Sequence, residues 1–224
     1  FNPVRYMRLL ELVRGSETTS DVIDRLADFN DRVLGKGVVR CADTPGFLGN
    51  RVGVFALQVG IDETLKCNLA IEDADALFGR PMGIPKTGVF GLYDLIGIDL
   101  MADVVVSLGN ILPADDAFHA VGAANPAIAA MIAAGFTGDK GKGGFYCLDG
   151  TKRMARQFAG YEGNDMPPLK PAKTKLPAAA IAAAEAAARQ DEPLFMLLDG
   201  HDDQARFCRR VLGRILHYAA SLVP

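Results

Sequence analysis

The alternation of apolar and polar positions near the start of the chain predicts one β-α-β unit. Residues 4–14 alternate as in a strand, residues 20–35 follow the period of a helix, and residues 36–43 form a second short strand. Glu11 lies on the more apolar face of the first strand. Burying an unpaired carboxylate costs roughly several kcal/mol, so we expect Glu11 to have a partner, an exposed edge position or a function. The apolar stripe of the helix consists of Val22, Ile23, Leu26, Phe29 and Val33.

Helical periodicity dominates the rest of the chain. A turn at Pro45 and Gly46 precedes a helix over 47–68 that is apolar on most sides, as is typical of a central, buried helix. The most apolar segment, 92–108, is predicted to be one packed core helix. Further helices are predicted near 71–79, from Pro126 to Gly135 with Asn125 as the cap, in the alanine-rich segment after 177 and from Asp203 towards Ser221. Residues 136–147 are predicted to form a glycine-rich loop, and the Pro/Gly/Lys-rich residues 160–177 a linker.

The composition is that of a globular protein. Of the 224 residues, 50% are hydrophobic, which is enough for one core and a smaller appendage. The net charge of -3 argues against a nucleic-acid partner, because no basic stripe exists to replace phosphate counterions. No apolar run approaches the roughly 18 residues that a membrane span requires. The four cysteines lack the spacing of metal ligands, which predicts no metal site and favours a reduced, cytoplasmic environment.

Several motifs follow one another in a fixed order. The sequence FNP precedes a strand with a central Glu, and after the β-α-β unit DTPGFLGNR opens the buried helix; an acidic helix, a P-M-G loop and LYDLIGID follow. In that order these motifs resemble the L-3-hydroxyacyl-CoA dehydrogenase family of fatty-acid β-oxidation, over roughly residues 1–150. The later part resembles the longer bacterial multifunctional form. The implied fold is mainly α: a helical C-terminal domain of the 6-phosphogluconate-dehydrogenase-like type, preceded by a β-α-β remnant of a Rossmann domain.

This resemblance implies four segments. Residues 1–43 are the end of an NAD-binding domain, 44–150 the helical C-terminal domain, 151–177 a linker, and 178–224 the start of a second, non-catalytic repeat. The second repeat rests on a weak internal similarity, in which RRVLGRILHYAASLV (209–223) aligns with NRVGVFALQVGIDET (50–64). Chance similarity between two amphipathic helices is the alternative.

The resemblance also implies catalytic roles for Glu11 and Asn50. The catalytic His of the family motif H-x-F-N-P would stand two positions upstream of Phe1, and Glu11 matches the Glu that holds this imidazole and stabilises its charged form. Asn50 matches the active-site Asn that binds substrate oxygen, a role that suits an uncharged amide. Without the family, Asn50 would be an ordinary residue at a helix start. Asn2 either stabilises the turn that presents the His or forms a simple Asn-Pro turn.

Other polar residues are weaker candidates. His119, His201 and His217 lie in no matching motif and are predicted to be surface or helix-packing residues. Lys140 and Lys142 either contact phosphate or only solvate a loop, and we favour the loop. The same ambiguity applies to Arg51, Arg80 and Lys86.

The chain departs from the family pattern in two respects. No G-x-G-x-x-G follows a strand, so the implied cofactor, NAD, would be bound by the part of the enzyme upstream, which would also supply the family's catalytic Ser. The loop RPMGIPKTGVFG is longer than the family's usual arrangement, which affects the shape of the acyl pocket.

We therefore expect part of an enzyme that oxidises 3-hydroxyacyl-CoA to 3-ketoacyl-CoA, inactive by itself and forming a homodimer through the helical domain. Two alternatives remain. One is a dehydrogenase of a free hydroxy acid or sugar acid on the same scaffold. The other is a helical dimerisation module without chemistry, which predicts that Glu11 is solvated and that Asn50 faces away from any cleft.

Overall fold

The computed structural model describes residues 1, 3–84, 86–189 and 192–223, so Asn2 lies outside the described residues. The chain is divided into two compact units, Phe1–Val54 and Phe55–Pro224. Helices predominate over strands, which confirms the mainly α prediction. Within the described ranges, no helix combines the length and apolar character that crossing a membrane requires.

The first unit is built on a two-stranded parallel sheet, which confirms the predicted β-α-β unit. Glu11 pairs with Val39 in the register of the two strands. The first strand is shorter than the predicted 4–14, because residues 4–6 form a turn and the Nζ of Lys36 binds the carbonyl oxygens of Val4 and Met7 at 2.5 and 2.7 Å. The elements are β1 Leu9–Val13, α1 Ser20–Asp28 with a π-helical continuation Phe29–Val33, β2 Gly37–Cys41 and the first turns of α2, Gly49–Lys66.

The apolar stripe of α1 is largely exposed. Ile23 is buried, whereas Val22 and Leu26 are each 43% exposed, Phe29 is 50% and Val33 67% exposed. A parallel sheet is ordinarily covered on both faces, and two strands offer too little surface to cover this stripe. The first unit therefore presents an exposed apolar stripe along its helix.

The second unit is a helical core with a small antiparallel sheet. Its fully buried side chains include Val59 of α2, Phe90, Phe118 and Phe145. The elements are the rest of α2, α3 Ile71–Leu77, α4 Phe90–Ile96, α5 Ile98–Ile111, α6 Pro126–Ala133, β3 Tyr146–Asp149, β4 Lys152–Arg156, β5 Leu169–Pro171, α7 Ala178–Ala188, α8 Pro193–Leu198 and α9 Asp203–Ser221. Asn125 caps α6 as predicted, accepting from the N–H groups of Ala127 and Ile128.

The prediction of one continuous helix over 92–108 is wrong. Gly97 has φ +119°, a conformation that favours glycine, and it separates α4 from α5. The N–H of Ile98 donates to the carbonyl of Thr137 at 2.9 Å instead of continuing the helix. The break thus ties the start of α5 to the glycine-rich loop.

The structure also differs from the predicted linker over 151–177. Asp149 pairs with Lys152 across a two-residue turn in which Gly150 has φ +60°, so β3 and β4 form a hairpin, and β5 adds a third strand. The guanidinium of Arg156, 2% exposed, donates to the carbonyl of Pro167 at 2.9 Å and lies 4.4 Å from the ring centre of Phe136. Through these contacts residues 151–177 pack against the rest of the second unit.

The last helix, α9, packs against α2 within the second unit. The rings of Phe55 and Tyr218 stack with centroids 3.9 Å apart. Glu63, which is fully buried, accepts from the Nε of Arg210 at 2.5 Å and from Arg214 at 2.6 Å. The surface of α2 that carries these residues is therefore covered by the chain's own last helix.

Candidate functional site

Glu11 has a partner, and that partner is the start of a helix. Its Oε1 accepts hydrogen bonds from the N–H groups of Leu48 and Gly49 at 2.8 and 2.7 Å, so the half-buried carboxylate caps α2 from the neighbouring strand. A carboxylate is favoured there because the first N–H groups of a helix have no partner within it and carry partial positive charge. This contact accounts for an acid in the apolar run of β1.

Asn50 follows immediately after the two residues that Glu11 binds. It lies in the first turn of α2 and is exposed to solvent. An exposed amide at this position can donate to an oxygen of a small molecule, because its side chain is not enclosed by the protein. The structure thus places the two predicted site residues in one unit. The side chain of Glu11 on β1 accepts from the N–H groups of the two residues that directly precede Asn50.

Cys41 completes the surroundings of the carboxylate. Its Sγ lies 3.9 Å from Oε1 of Glu11, at the end of β2. Burial and then the charge of Glu11 raise the pKa of the Cys41 thiol, so this group is a neutral neighbour at physiological pH. This thiol was not among the candidate residues predicted from the sequence. The alternation of side chains along β2 could have indicated it, because it places Cys41 on the same face as Val39, the residue that pairs with Glu11.

The backbone before α2 is unusual. Gly46 has φ +75° and Phe47 has φ +47°, the left-handed region that a bulky residue rarely adopts. A turn with these two residues directs the next two N–H groups to a single oxygen of Glu11. The sequence indicated a turn here but not the strained position of Phe47.

Except for Arg51, which directly follows Asn50 in α2, the other basic and imidazole candidates lie outside the first unit. His119, His201 and His217 are exposed residues of the second unit. Lys140 and Lys142 are also exposed, in the glycine-rich loop. Of the three remaining basic candidates, Arg80 and Lys86 are exposed and Arg51 is partly buried in α2.

The glycine-rich loop is organised around Asp94. The two carboxylate oxygens of Asp94 accept from the N–H groups of Phe145 and Tyr146, each at 2.8 Å. A Cβ at Gly144 would lie 2.0 Å from Oδ1 of Asp94, which explains why glycine is required at that position. This packing accounts for the loop's composition without a bound phosphate.

Asp75 is a second internal carboxylate that sequence reasoning missed. Its oxygens accept from the N–H groups of Val89, Phe90 and Gly91 and from the hydroxyl of Tyr146, at 2.7–3.0 Å. Burial raises the pKa of Asp75 and that of Asp94 to about 6. Because their oxygens are engaged by the fold, both acids serve as structural anchors.

A cavity of 320 Å³ lies in the second unit between α2, α5 and α6. The cavity is lined mainly by apolar side chains. Two polar residues also line it, Gln58 and Tyr93, and the side-chain amide of Gln58 donates to the hydroxyl of Tyr93 at 2.5 Å. Among the described residues, no group of three or more His, Cys, Asp or Glu could hold a metal ion.

Comparison with known proteins bears on both units. A family model described as "3-hydroxyacyl-CoA dehydrogenase, NAD binding domain" matches residues 1–44, and one described as "3-hydroxyacyl-CoA dehydrogenase, C-terminal domain" matches residues 46–147. Glu11 and Asn50 fall within these two matches.

Individual relatives agree with the family models. A Rickettsia felis protein named "Putative fatty acid oxidation complex trifunctional enzyme" is 45% identical over 148 residues, covering 66% of this chain and 21% of that protein. A Bacillus subtilis protein named "Probable 3-hydroxyacyl-CoA dehydrogenase" is 31% identical over 225 residues, covering 100% of this chain and 27% of that protein.

A solved structure of a related protein also resembles this chain. The crystal structure of FadB2 from M. tuberculosis matches with a TM-score of 0.53 and 31% identity, covering 66% of this chain and 50% of that one. The chain spans between a fifth and a third of the length of the two curated relatives named above, at 21% and 27%. On these matches, the chain belongs to the 3-hydroxyacyl-CoA dehydrogenase family.

Proposed function

We propose that this chain is part of an L-3-hydroxyacyl-CoA dehydrogenase, which oxidises 3-hydroxyacyl-CoA to 3-ketoacyl-CoA with NAD in fatty-acid β-oxidation. One observation carries the proposal: the family matches run through Glu11 and Asn50, and Glu11 binds the two N–H groups directly before Asn50. The alternative of a helical module without chemistry predicts a solvated Glu11 and an Asn50 that faces away from any cleft. The bound, half-buried carboxylate speaks against the first expectation, whereas the exposed position of Asn50 does not decide the second.

Each residue has a distinct role in this reaction. Glu11 uses Oε1 for the helix, which leaves Oε2 to hold the imidazole of the family's H-x-F-N-P motif and to stabilise its charged form once it has taken the hydroxyl proton. Asn50 donates an amide N–H to the substrate oxygen near the reacting carbon. NAD, when bound, accepts the hydride. The chain has no glycine-rich phosphate loop after a strand, so none of its residues is assigned to the cofactor.

The test requires the full-length polypeptide that contains this chain. NADH consumption is followed with acetoacetyl-CoA for the wild type, for Asn50→Ala and for the matched control Asn110→Ala, an exposed asparagine of α5. We expect Asn50→Ala to lower kcat/KM by orders of magnitude and the control to leave it unchanged. A wild-type enzyme that binds NADH but does not oxidise it in the presence of acetoacetyl-CoA would contradict the proposal.

Two further assays test the isolated chain and the substrate class. We propose that the 224-residue chain is inactive by itself, which the same assay measures directly. A free 3-hydroxy acid and its CoA thioester are compared as substrates of the full-length polypeptide in the oxidation direction. Preference for the free acid would favour the dehydrogenase of a free hydroxy acid or sugar acid.

We further propose that residues 178–224 begin a second repeat of the helical domain, following the domains over 1–43 and 44–150. The antiparallel packing of α9 on α2 supports this assignment, because the two helices that resemble each other in sequence also form one interface. We retain a homodimer and a cytoplasmic location as proposals, the latter supported by four free cysteines. Light scattering of the 224-residue chain tests the homodimer: we expect twice the mass of one chain, and the mass of a single chain would contradict it.

A further inference from the structure

The carboxylate of Glu11 is used unevenly. Oε1 accepts hydrogen bonds from two backbone N–H groups, that of Leu48 at 2.8 Å and that of Gly49 at 2.7 Å. The Sγ of Cys41 lies 3.9 Å from the same oxygen. Within the part of the chain that the structure describes, no hydrogen bond is found on Oε2. One oxygen is therefore committed to the helix, and the other remains for a second partner.

Helix α2 depends on this carboxylate at its start. Leu48, the residue directly before the helix, has an apolar side chain and cannot accept a hydrogen bond from the first turn. Glu11 supplies the missing acceptor from another strand, at a distance of 37 residues in sequence. The position of the first turn is thus set by a tertiary contact.

The preceding turn makes this contact more important. A bulky residue with positive φ, such as Phe47 at +47°, persists only where its surroundings hold it, at a cost of about 1–3 kcal/mol. The hydrogen bonds from the next two N–H groups to Glu11 provide that restraint. On the other side, Gly49 lies so close to Phe1 and Leu9 that a Cβ on it would clash with the Phe1 ring at 2.3 Å.

We propose that Glu11 is a positioning residue for Asn50, through the hydrogen bonds of its Oε1 to Leu48 and Gly49. The inference rests on the proposed function and adds to it a second task for the same side chain. Oε1 fixes the turn that carries the substrate-binding amide, while Oε2 is left for the imidazole of the proposed function. One carboxylate then positions both the imidazole that takes the hydroxyl proton and the Asn50 amide that binds the substrate oxygen.

The first test uses the 224-residue chain and needs no catalysis. Amide hydrogen exchange and side-chain amide shifts are measured by NMR for wild type, Glu11→Ala and Glu11→Gln. We expect the Leu48 and Gly49 amides to exchange about tenfold faster or more in Glu11→Ala, because bonds to a charged acceptor are lost, and the Asn50 side-chain amide to shift. Glu11→Gln keeps an acceptor oxygen and stays close to wild type.

The matched control is Asp202→Ala. Asp202 caps α9 in the second unit by accepting from the N–H of Ala205 at 2.8 Å, so its loss removes a comparable bond elsewhere. We expect no change at Leu48, Gly49 or Asn50. An Asn50 amide that is unmoved in a folded Glu11→Ala chain would overturn the proposal.

The second test uses the full-length polypeptide and separates positioning from tuning of the base. KM for acetoacetyl-CoA is expected to rise about tenfold more in Glu11→Ala than in Glu11→Gln, because only Ala removes the cap. In an Asn50→Ala background this difference should disappear. A difference that persists there contradicts action through Asn50, whereas a wild type without activity contradicts the proposed function and leaves the NMR test to decide the positioning role.

Discussion

The two units use backbone-bound carboxylates in different ways. Glu11 in the first unit and Asp94 in the second each accept two main-chain N–H groups at 2.7–2.8 Å. Asp94 uses both oxygens and is 2% exposed, whereas Glu11 uses one oxygen and is half-buried. A carboxylate with both oxygens committed and no access can only hold the fold together, but one with a spare oxygen near solvent can also serve chemistry.

The largest effect that this comparison predicts is at Asp94. Asp94→Ala leaves the N–H groups of Phe145 and Tyr146 without acceptors in a buried place, at about 1–3 kcal/mol for each donor. We expect the free energy of unfolding to fall by about 3 kcal/mol or more, measured by urea denaturation of the chain with circular dichroism. Asp103→Ala, an exposed acid of α5, is the control and should change stability by less than about 0.5 kcal/mol.

A smaller effect is expected for the corresponding change in the first unit. Glu11→Ala removes a helix cap whose donors water can reach, so the free energy of unfolding of the first unit should fall by about 1–2 kcal/mol. The same denaturation experiment measures it, with the exposed Glu17→Ala as the control. A loss as large as that at Asp94 would mean that Glu11 is a structural anchor of the same kind, and the contrast between the units would fail.

The contrast was only partly accessible from sequence. The apolar run around Glu11 predicts an acid with a partner or a function, and the resemblance to the family predicts a site role for Asn50. The acceptor role of Oε1 could not be predicted, because its donors are backbone groups 37 and 38 residues away. Asp94 lies within the apolar segment 92–108, and no local signal predicts that it anchors a loop 51 residues downstream.

Secondary structure shows the same limit. Local signals located the helix after Asn125 and the last helix, where capping side chains act on neighbouring residues. They failed at Gly97, where a tertiary bond from Ile98 to Thr137 competes with helix continuation. They also failed at Asp149-Gly150, a hairpin signal hidden by the Pro/Gly-rich composition that follows.

The stability of the second unit is expected to depend on pH through Asp75, a buried carboxylate like Asp94. Burial raises the pKa of Asp75 to about 6, so the folded state binds this proton more tightly than the unfolded state. The resulting stabilisation is fully present below about pH 4 and is lost as the pH rises through 6. Between pH 7.5 and 5, wild type should therefore gain about 1 kcal/mol relative to Asp75→Asn, by urea denaturation at each pH. Parallel pH curves would show that the hydrogen bonds to Asp75 offset its burial.

The smallest effect is predicted for the exposed lysines of the loop that Asp94 anchors. The loop is held by the bridge between Gly138 and Gly143 and by the N–H of Asp139, which donates to the carbonyl of Asp94 at 2.8 Å. These contacts explain its shape without the lysine side chains. In the double variant Lys140→Ala, Lys142→Ala we expect stability to change by less than about 0.5 kcal/mol, because both side chains are exposed.

The same variant decides what the lysines do in the full-length polypeptide. If they only solvate the loop, KM for acetoacetyl-CoA should stay within about twofold of wild type at low salt, where any phosphate contact is strongest. The double variant Lys152→Ala, Lys175→Ala removes two exposed lysines elsewhere in the second unit and controls for the change in net charge. A KM that rises tenfold only in the loop variant, and less so at high salt, would instead place an anionic group of the substrate on this loop. The loop would then combine a buried structural acid with a binding function, and the division between the two units would no longer hold.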